Sequence, residues 1–330
     1  MASDPSGWTP PNPSTTNSRS GARSVGPLVG PLSLPPSVSV SLSLSLYRFL
    51  SFVSLRAGVS QVHWQNARWE DGTLAEVGQM FATNWVAAIQ RGLYKNGENT
   101  SVMLPRGGYA GSWRHGAGLW SGDIWCDFDT LQSQVRTGVS AQISGFGLWT
   151  TDIGGFSAPP GGSCTPGNSS YDELVTRWFQ FGVTCPIFRQ HGSRPTEIWH
   201  YGPEAQRTLT SIIHWRASIK PYLQQEMRKL NATGRPINRP LWWDFPADRS
   251  AWLVDDEYMF GDEYLVAPVL RAGARSRSVY LPTAGTATTT WRHVWTNASY
   301  KGGENYTIDA PLDSFPLFRR DALVAAREIE

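Results

Sequence analysis

One unit recurs between residues 101 and 192 and constrains the fold more than anything else in the chain: a short apolar run, a polar or glycine-rich stop, then a helix-periodic stretch. Ser101-Val102-Met103-Leu104 stops at Pro105-Arg106-Gly107-Gly108, and Ile143 to Trp149 stops at Thr150-Thr151-Asp152-Ile153-Gly154-Gly155. Cys185-Pro186-Ile187-Phe188 stops at Arg189-Gln190-His191-Gly192. Helical stretches run from about Phe128 to Gly138 and from about Tyr171 to Phe181 between them. That order predicts a parallel β/α architecture. In a β/α barrel the residues just past the C-terminal ends of the strands carry the chemistry. Arg106, Asp152, Arg189 and His191 stand at such positions.

The flanks extend the pattern. Thr73 to Tyr94 reads as one amphipathic helix with Leu74, Val77, Phe81, Trp85, Ala88 and Ile89 on its apolar face. A long helix opens at Gly202-Pro203-Glu204, where proline suits the first turn, and ends at Gly234. After Pro240 the chain changes to short strands at Tyr264 to Leu270, Ser278 to Leu281, Trp291 to Trp295 and Ser314 to Phe318. Turn chemistry such as Ala272-Gly273-Ala274 and Lys301-Gly302-Gly303 separates them. Residues 1–60 are rich in Ser and Pro with Asp4 as their one acidic residue. They read as low-complexity sequence, disordered or non-native, and translated non-coding sequence would look the same. The expected organisation is therefore 1–60 low complexity, 61–237 part of a barrel, and 238–330 an antiparallel β domain.

With 29 Lys and Arg against 27 Asp and Glu, the net charge of +2 gives no field for nucleic acid or an anionic membrane. The alternating run Ser37 to Leu46 is too polar and too short to span a bilayer, and it fits a secretory leader poorly. The 16 Trp are unusual, and only Trp8 precedes residue 60. Indole packs cores, but its flat face also stacks on sugar rings while its N–H serves a hydroxyl. The 3 Cys are an odd number without CxxC spacing, so neither zinc nor a disulfide framework is indicated. Sequons at Asn99, Asn168, Asn231, Asn297 and Asn305 suit a secretory-pathway protein.

Cleaving a glycosidic bond takes a carboxylic acid that protonates the leaving oxygen and a carboxylate on the opposite side. Asp123, in Leu119-Trp120-Ser121-Gly122-Asp123-Ile124, is the best acid: a Trp beside it can exclude water and hold it protonated. Taken alone, Ser-Gly-Asp reads as a turn. Asp152 has the alternative of capping a turn, and His191 that of a core histidine. His191 and His200 lack a carboxylate or Cys at ligand spacing, so no metal is implied.

The series Arg106…Tyr109-Ala110-Gly111-Ser112…Arg114…Trp120-Ser121-Gly122-Asp123-Ile124 resembles the family 31 glycoside hydrolases, retaining α-glycosidases. So do Trp149-Thr150-Thr151-Asp152-Ile153-Gly154-Gly155-Phe156 and Phe188-Arg189-Gln190-His191-Gly192, in the family's order. Met259-Phe260-Gly261-Asp262, Leu265-Val266-Ala267-Pro268-Val269 and Ala310-Pro311-Leu312-Asp313 are similar to its C-terminal β domain, and the likeness covers roughly residues 70–325. The resemblance implies an α/β fold: the second half of a (β/α)8 TIM barrel followed by a small antiparallel β-sandwich domain. It implies hydrolysis of terminal α-linked sugars with retention, a carbohydrate partner, and no cofactor. Asp123 matches the general acid/base. Arg106 and His191 match residues that bind the hydroxyls of the cleaved sugar, Asp152 helps shape that subsite, Trp120 lines its wall, and Arg189 orients the loop of His191.

The departure from the pattern is the nucleophile. The family's Asp-containing strand end is expected before Glu70-Asp71-Gly72, where Phe52 to Ser60 carries no carboxylate. Glu70, Asp71 and Glu76 come too late and stand at a helix start, where the dipole favours acids. The chain is therefore expected to lack the front of the barrel and to be inactive as written. The alternatives are a sugar-binding protein without chemistry or a fragment without independent function.

Overall fold

The computed structural model describes residues 68–284 and 289–321. The expected low-complexity segment and the stretch Phe52 to Ser60 lie outside them. The described chain opens with a small hairpin, β1 (Arg68–Trp69) and β2 (Gly72–Thr73), followed by helices α1 (Leu74–Val77) and α2 (Met80–Lys95). The predicted single helix is thus two. Glu76 closes a capping box on α1: its carboxylate accepts from the Thr73 N–H and hydroxyl at 2.9 Å each. The predicted apolar face also differs. Thr83, Val86 and Ala87 are the buried residues of α2, and the Thr83 hydroxyl bonds that of Ser112 at 2.6 Å. Phe81 and Trp85 stand on another face and stack on each other at 6.1 Å.

Four successive segments then run parallel. Met103 bridges Ala117; β3 (Leu119–Trp120) pairs with β4 (Trp149–Thr150); Ile153 bridges Gln190. Helix α3 (Phe128–Ile143) links β3 to β4 and begins at Asp127, whose carboxylate accepts from the Thr130 N–H at 2.7 Å. It runs past its predicted end at Gly138, which is kept inside the helix by close packing. A Cβ there would stand 2.7 Å from the Trp149 indole nitrogen. Ile143 accordingly belongs to α3, and β4 is shorter than the predicted strand. Helix α4 (Ser169–Gly182) follows β4, capped by Asn168, and most of it is buried. The predicted long helix is a pair, α5 (Pro203–Ser218) and α6 (Lys220–Thr233). Pro221 has no N–H to continue the helical ladder, so the break falls at Ile219. Gly234 ends α6 with φ 73°.

Beyond α6 the chain is antiparallel. Strands β5 (Asn238–Pro240), β6 (Tyr258–Phe260), β7 (Tyr264–Val266), β9 (Thr290–His293), β10 (Ser299–Lys301) and β12 (Leu317–Arg320) form one sheet in the order β10-β9-β12-β7-β6-β5. Strands β8 (Ser276–Leu281) and β11 (Glu304–Asp309) form a separate ribbon. A short helix, α7 (Leu241–Asp244), leaves β5. The larger sheet is buried on both faces. Tyr258, Phe260, Val266 and Leu317 join the core of the β/α part, whereas Met259, Leu265 and Phe318 pack with Val279, Leu281 and Ile308 of the ribbon. Burial on both faces is why the central strands β6 and β7 read as continuous apolar runs.

Candidate active site

Past the C-terminal ends of the parallel segments stand Arg106, Asp123, Asp152, Arg189 and His191, in chain order one strand after another. Four of them form two ion pairs. Arg106 Nη2 lies 3.3 Å from Asp123 Oδ2, with the two side chains 56% and 50% exposed. Asp152, fully buried, is paired with Arg189. Its backbone N–H donates to the Ser121 hydroxyl at 3.1 Å, which ties the β4 loop to the loop of Asp123. The Arg189 guanidinium lies over the Trp120 ring at 6.0 Å, and the His191 ring lies 5.6 Å from Phe156.

Burial pushes the Asp152 carboxyl above the usual carboxylate range; the charges of Arg189 and His191 oppose that shift and the charge of Asp123 adds to it. Asp152 Oδ2 is buried without a hydrogen-bond partner among the described residues. Such an acceptor is held open for a donor. The turn reading of Asp152 is carried by its backbone carbonyl, which accepts from the Gly155 N–H at 2.9 Å, and not by its side chain. Trp120 does not shield Asp123, which is half exposed; its ring serves Arg189 instead.

Gly154 and Gly155 take φ 86° and 76°, and a Cβ on Gly155 would stand 2.4 Å from the Cα of Cys126. Only glycine lets the β4 loop approach the Asp123 loop this closely. Arg194 fixes the same loop from beyond: it donates to the carbonyls of Gly155 and Ile153 and covers the Tyr171 ring at 5.3 Å. The expectation of no disulfide is overturned. Cys126 and Cys164 form a disulfide across 38 residues, and Cys185 is a buried free thiol. An odd count is compatible with one pair plus one core cysteine, and nothing in the spacing predicts a proximity that the fold creates.

The family description "Glycosyl hydrolases family 31 TIM-barrel domain" matches residues 13–226, and that of the family's C-terminal domain matches residues 234–324. The chain belongs to glycosyl hydrolase family 31. As a family 31 chain it is 35% identical to an α-xylosidase of Saccharolobus solfataricus, over 72% of this chain and 31% of that one. It is 34% identical to α-xylosidase A of Aspergillus niger, over 77% of this chain and 38% of that one. A solved family 31 α-xylosidase from a soil metagenome, complexed with xylose, superposes with a TM-score of 0.74 at 36% identity, covering 81% of this chain and 41% of the other. The chain spans about a third of the length of these curated relatives. The family and the observed layout agree on a TIM-barrel portion followed by a β-rich C-terminal domain.

Proposed function

We propose that this chain supplies the acid/base side of a retaining α-glycosidase site acting on terminal α-xylosides or α-glucosides. Asp123 protonates the glycosidic oxygen as the bond to the anomeric carbon breaks. Its carboxylate then takes a proton from the water that releases the glycosyl-enzyme. Arg106 and His191 bind hydroxyls of the sugar that becomes the glycosyl-enzyme, Trp120 and Arg189 form the wall behind it, and the open Oδ2 of Asp152 accepts from one further hydroxyl. The reading rests on one observation: Asp123 is a solvent-facing carboxylate paired with Arg106, next to the Asp152–Arg189 pair at the ends of parallel strands. The disulfide and the exposed sequon asparagines support maturation in an oxidising secretory compartment.

Retention needs a second carboxylate about 5 Å away. Asp152 is taken by Arg189 and Glu76 by its helix cap. We therefore infer that residues 68–321 bind the sugar and move the proton but do not complete hydrolysis unaided. The test is to give the purified chain methyl and p-nitrophenyl α-xylosides and α-glucosides. Binding is expected without release of nitrophenol, and His191→Ala should weaken binding about tenfold or more, as for a lost hydrogen bond to a ligand hydroxyl. Turnover by the chain alone, or binding indifferent to His191, would contradict the reading.

A further inference from the structure

Exposure alternates along the segment after β3: Asp123 is exposed, Ile124 packs against the core, Trp125 is 47% exposed, and Cys126 is buried. Asp123 and Trp125, two residues apart, are thus both open to solvent, whereas Ile124 and Cys126 turn into the protein. The segment is also held fast. The Ile124 carbonyl accepts from the N–H groups of Phe156 at 2.7 Å and Ser157 at 3.2 Å. The Cys126 N–H donates to the Ser157 carbonyl at 3.0 Å, Trp125 and Ser157 form a parallel bridge, and the Cys126 sulfur is bonded to Cys164. One loop further across, the Ser193 N–H donates to the Phe156 carbonyl at 2.9 Å. A large apolar ring is thus kept half in water on cross-linked backbone, two residues from the proton donor.

A single exposed tryptophan is ordinary on a protein surface. This one is held on tethered backbone two residues from the proposed proton donor. On the acid/base reading Asp123 meets the bridging oxygen, and Trp125 follows it by two residues on the same segment. We propose that Trp125 is a stacking platform for the group on the leaving side of the scissile bond, either a second sugar ring or an aryl aglycone. This rests on the acid/base reading of Asp123, because that assignment places the bridging oxygen beside it. The indole face offers the apolar contact and its N–H a partner for a hydroxyl.

Calorimetric titration of the full chain with phenyl and methyl α-xylosides, and with the matching α-glucosides, tests the platform without needing turnover. The chain should bind the phenyl glycosides about tenfold more tightly than the methyl ones, equivalent to about 1.4 kcal/mol. Trp125→Ala should abolish that ratio while leaving methyl glycoside affinity unchanged, and Trp125→Phe should keep part of it. Asp123→Asn should keep the ratio whole, so failure of the acid/base reading would appear in hydrolysis experiments and not in this one. The proposal is overturned if the ratio survives Trp125→Ala, if the parent chain shows no preference, if it binds neither ligand, or if Trp125→Ala loses methyl glycoside binding equally.

Discussion

Arg177 is fully buried on α4, and among the described residues its guanidinium meets no carboxylate within hydrogen-bonding distance. It donates instead to backbone carbonyls of the C-terminal part: Pro311 at 3.1 Å, Ser314 at 3.3 Å, Ala274 at 2.9 Å and Ala310 at 2.6 Å. Burial lowers its pKa to about 10, which still leaves it charged at neutral pH. Arg177→Met keeps the aliphatic stem and takes from the Ala310 carbonyl its donor, whereas the Pro311, Ser314 and Ala274 carbonyls keep the Ser314 N–H, Gln180 Nε2 and Arg275 Nη1 at 3.3, 3.3 and 3.0 Å. Each buried acceptor left unpaired costs about 1–3 kcal/mol. Gln180 Oε1, 3.0 Å from the guanidinium, also loses a donor, so with two acceptors left open the net loss should be about 2–4 kcal/mol. For a domain of this size that lowers the melting temperature by about 10 °C. Arg177→Lys should fall between, because one ammonium cannot serve two directions as a guanidinium does. Urea unfolding followed by tryptophan fluorescence reads the effect. A loss below about 1 kcal/mol for Arg177→Met would refute the argument that the Ala310 carbonyl and Gln180 Oε1 depend on Arg177.

Two further outcomes follow from buried chemistry. Opening the Cys126–Cys164 disulfide frees a loop of 38 residues, so reduction or Cys164→Ser should lower the unfolding free energy by about 4 kcal/mol; unchanged urea midpoints with and without reductant would contradict this. Burial pushes Glu257 up to about 8 against the pull of Arg277, and its Oε2 has no partner. A raised acid stabilises the fold fully below its unfolded pKa of about 4.3, and that stabilisation is lost as pH rises through about 8. Unfolding free energy should therefore fall by up to about 1.4 kcal/mol per pH unit across that window. Glu257→Gln should flatten the slope, and identical pH profiles for the two proteins would be the contrary result.

The strand ends were legible because chemistry concentrates there: short apolar runs stop at Arg106, Asp152 and His191, and the fold gathers those residues with Asp123 and Trp120. What escaped the sequence depends on long-range contact. The apolar spacing of α2 points to Phe81 and Trp85, yet the face toward the core is chosen by Ser112, 29 residues beyond Thr83. The Cys126–Cys164 pair and the close approach of Gly155 to Cys126 arise only when β3 and β4 lie side by side. Helix ends were misjudged wherever one residue has two meanings. Gly138 reads as a stop but is a packing contact, and Pro221 stands within an apolar pattern that continues through it. Strands β5 and β11 carry polar sequences, Asn238-Arg239-Pro240 and Glu304-Asn305-Tyr306-Thr307-Ile308-Asp309, whose pairing partners decide their state.

The central claim is that Asp123 delivers the proton to the leaving oxygen, and leaving-group dependence tests it most directly. Residues 61–330 would be joined behind the N-terminal portion of the Aspergillus niger relative, and kcat/KM measured for glycosides with poor alkyl and good nitrophenyl leaving groups. Asp123→Asn should cost about 10²–10⁴-fold for the alkyl glycosides, the usual contribution of a positioned general acid. Cleavage of the nitrophenyl glycosides, which need no protonation to leave, should fall far less in its first step. Equal losses for both kinds of substrate, or none for either, would contradict the account.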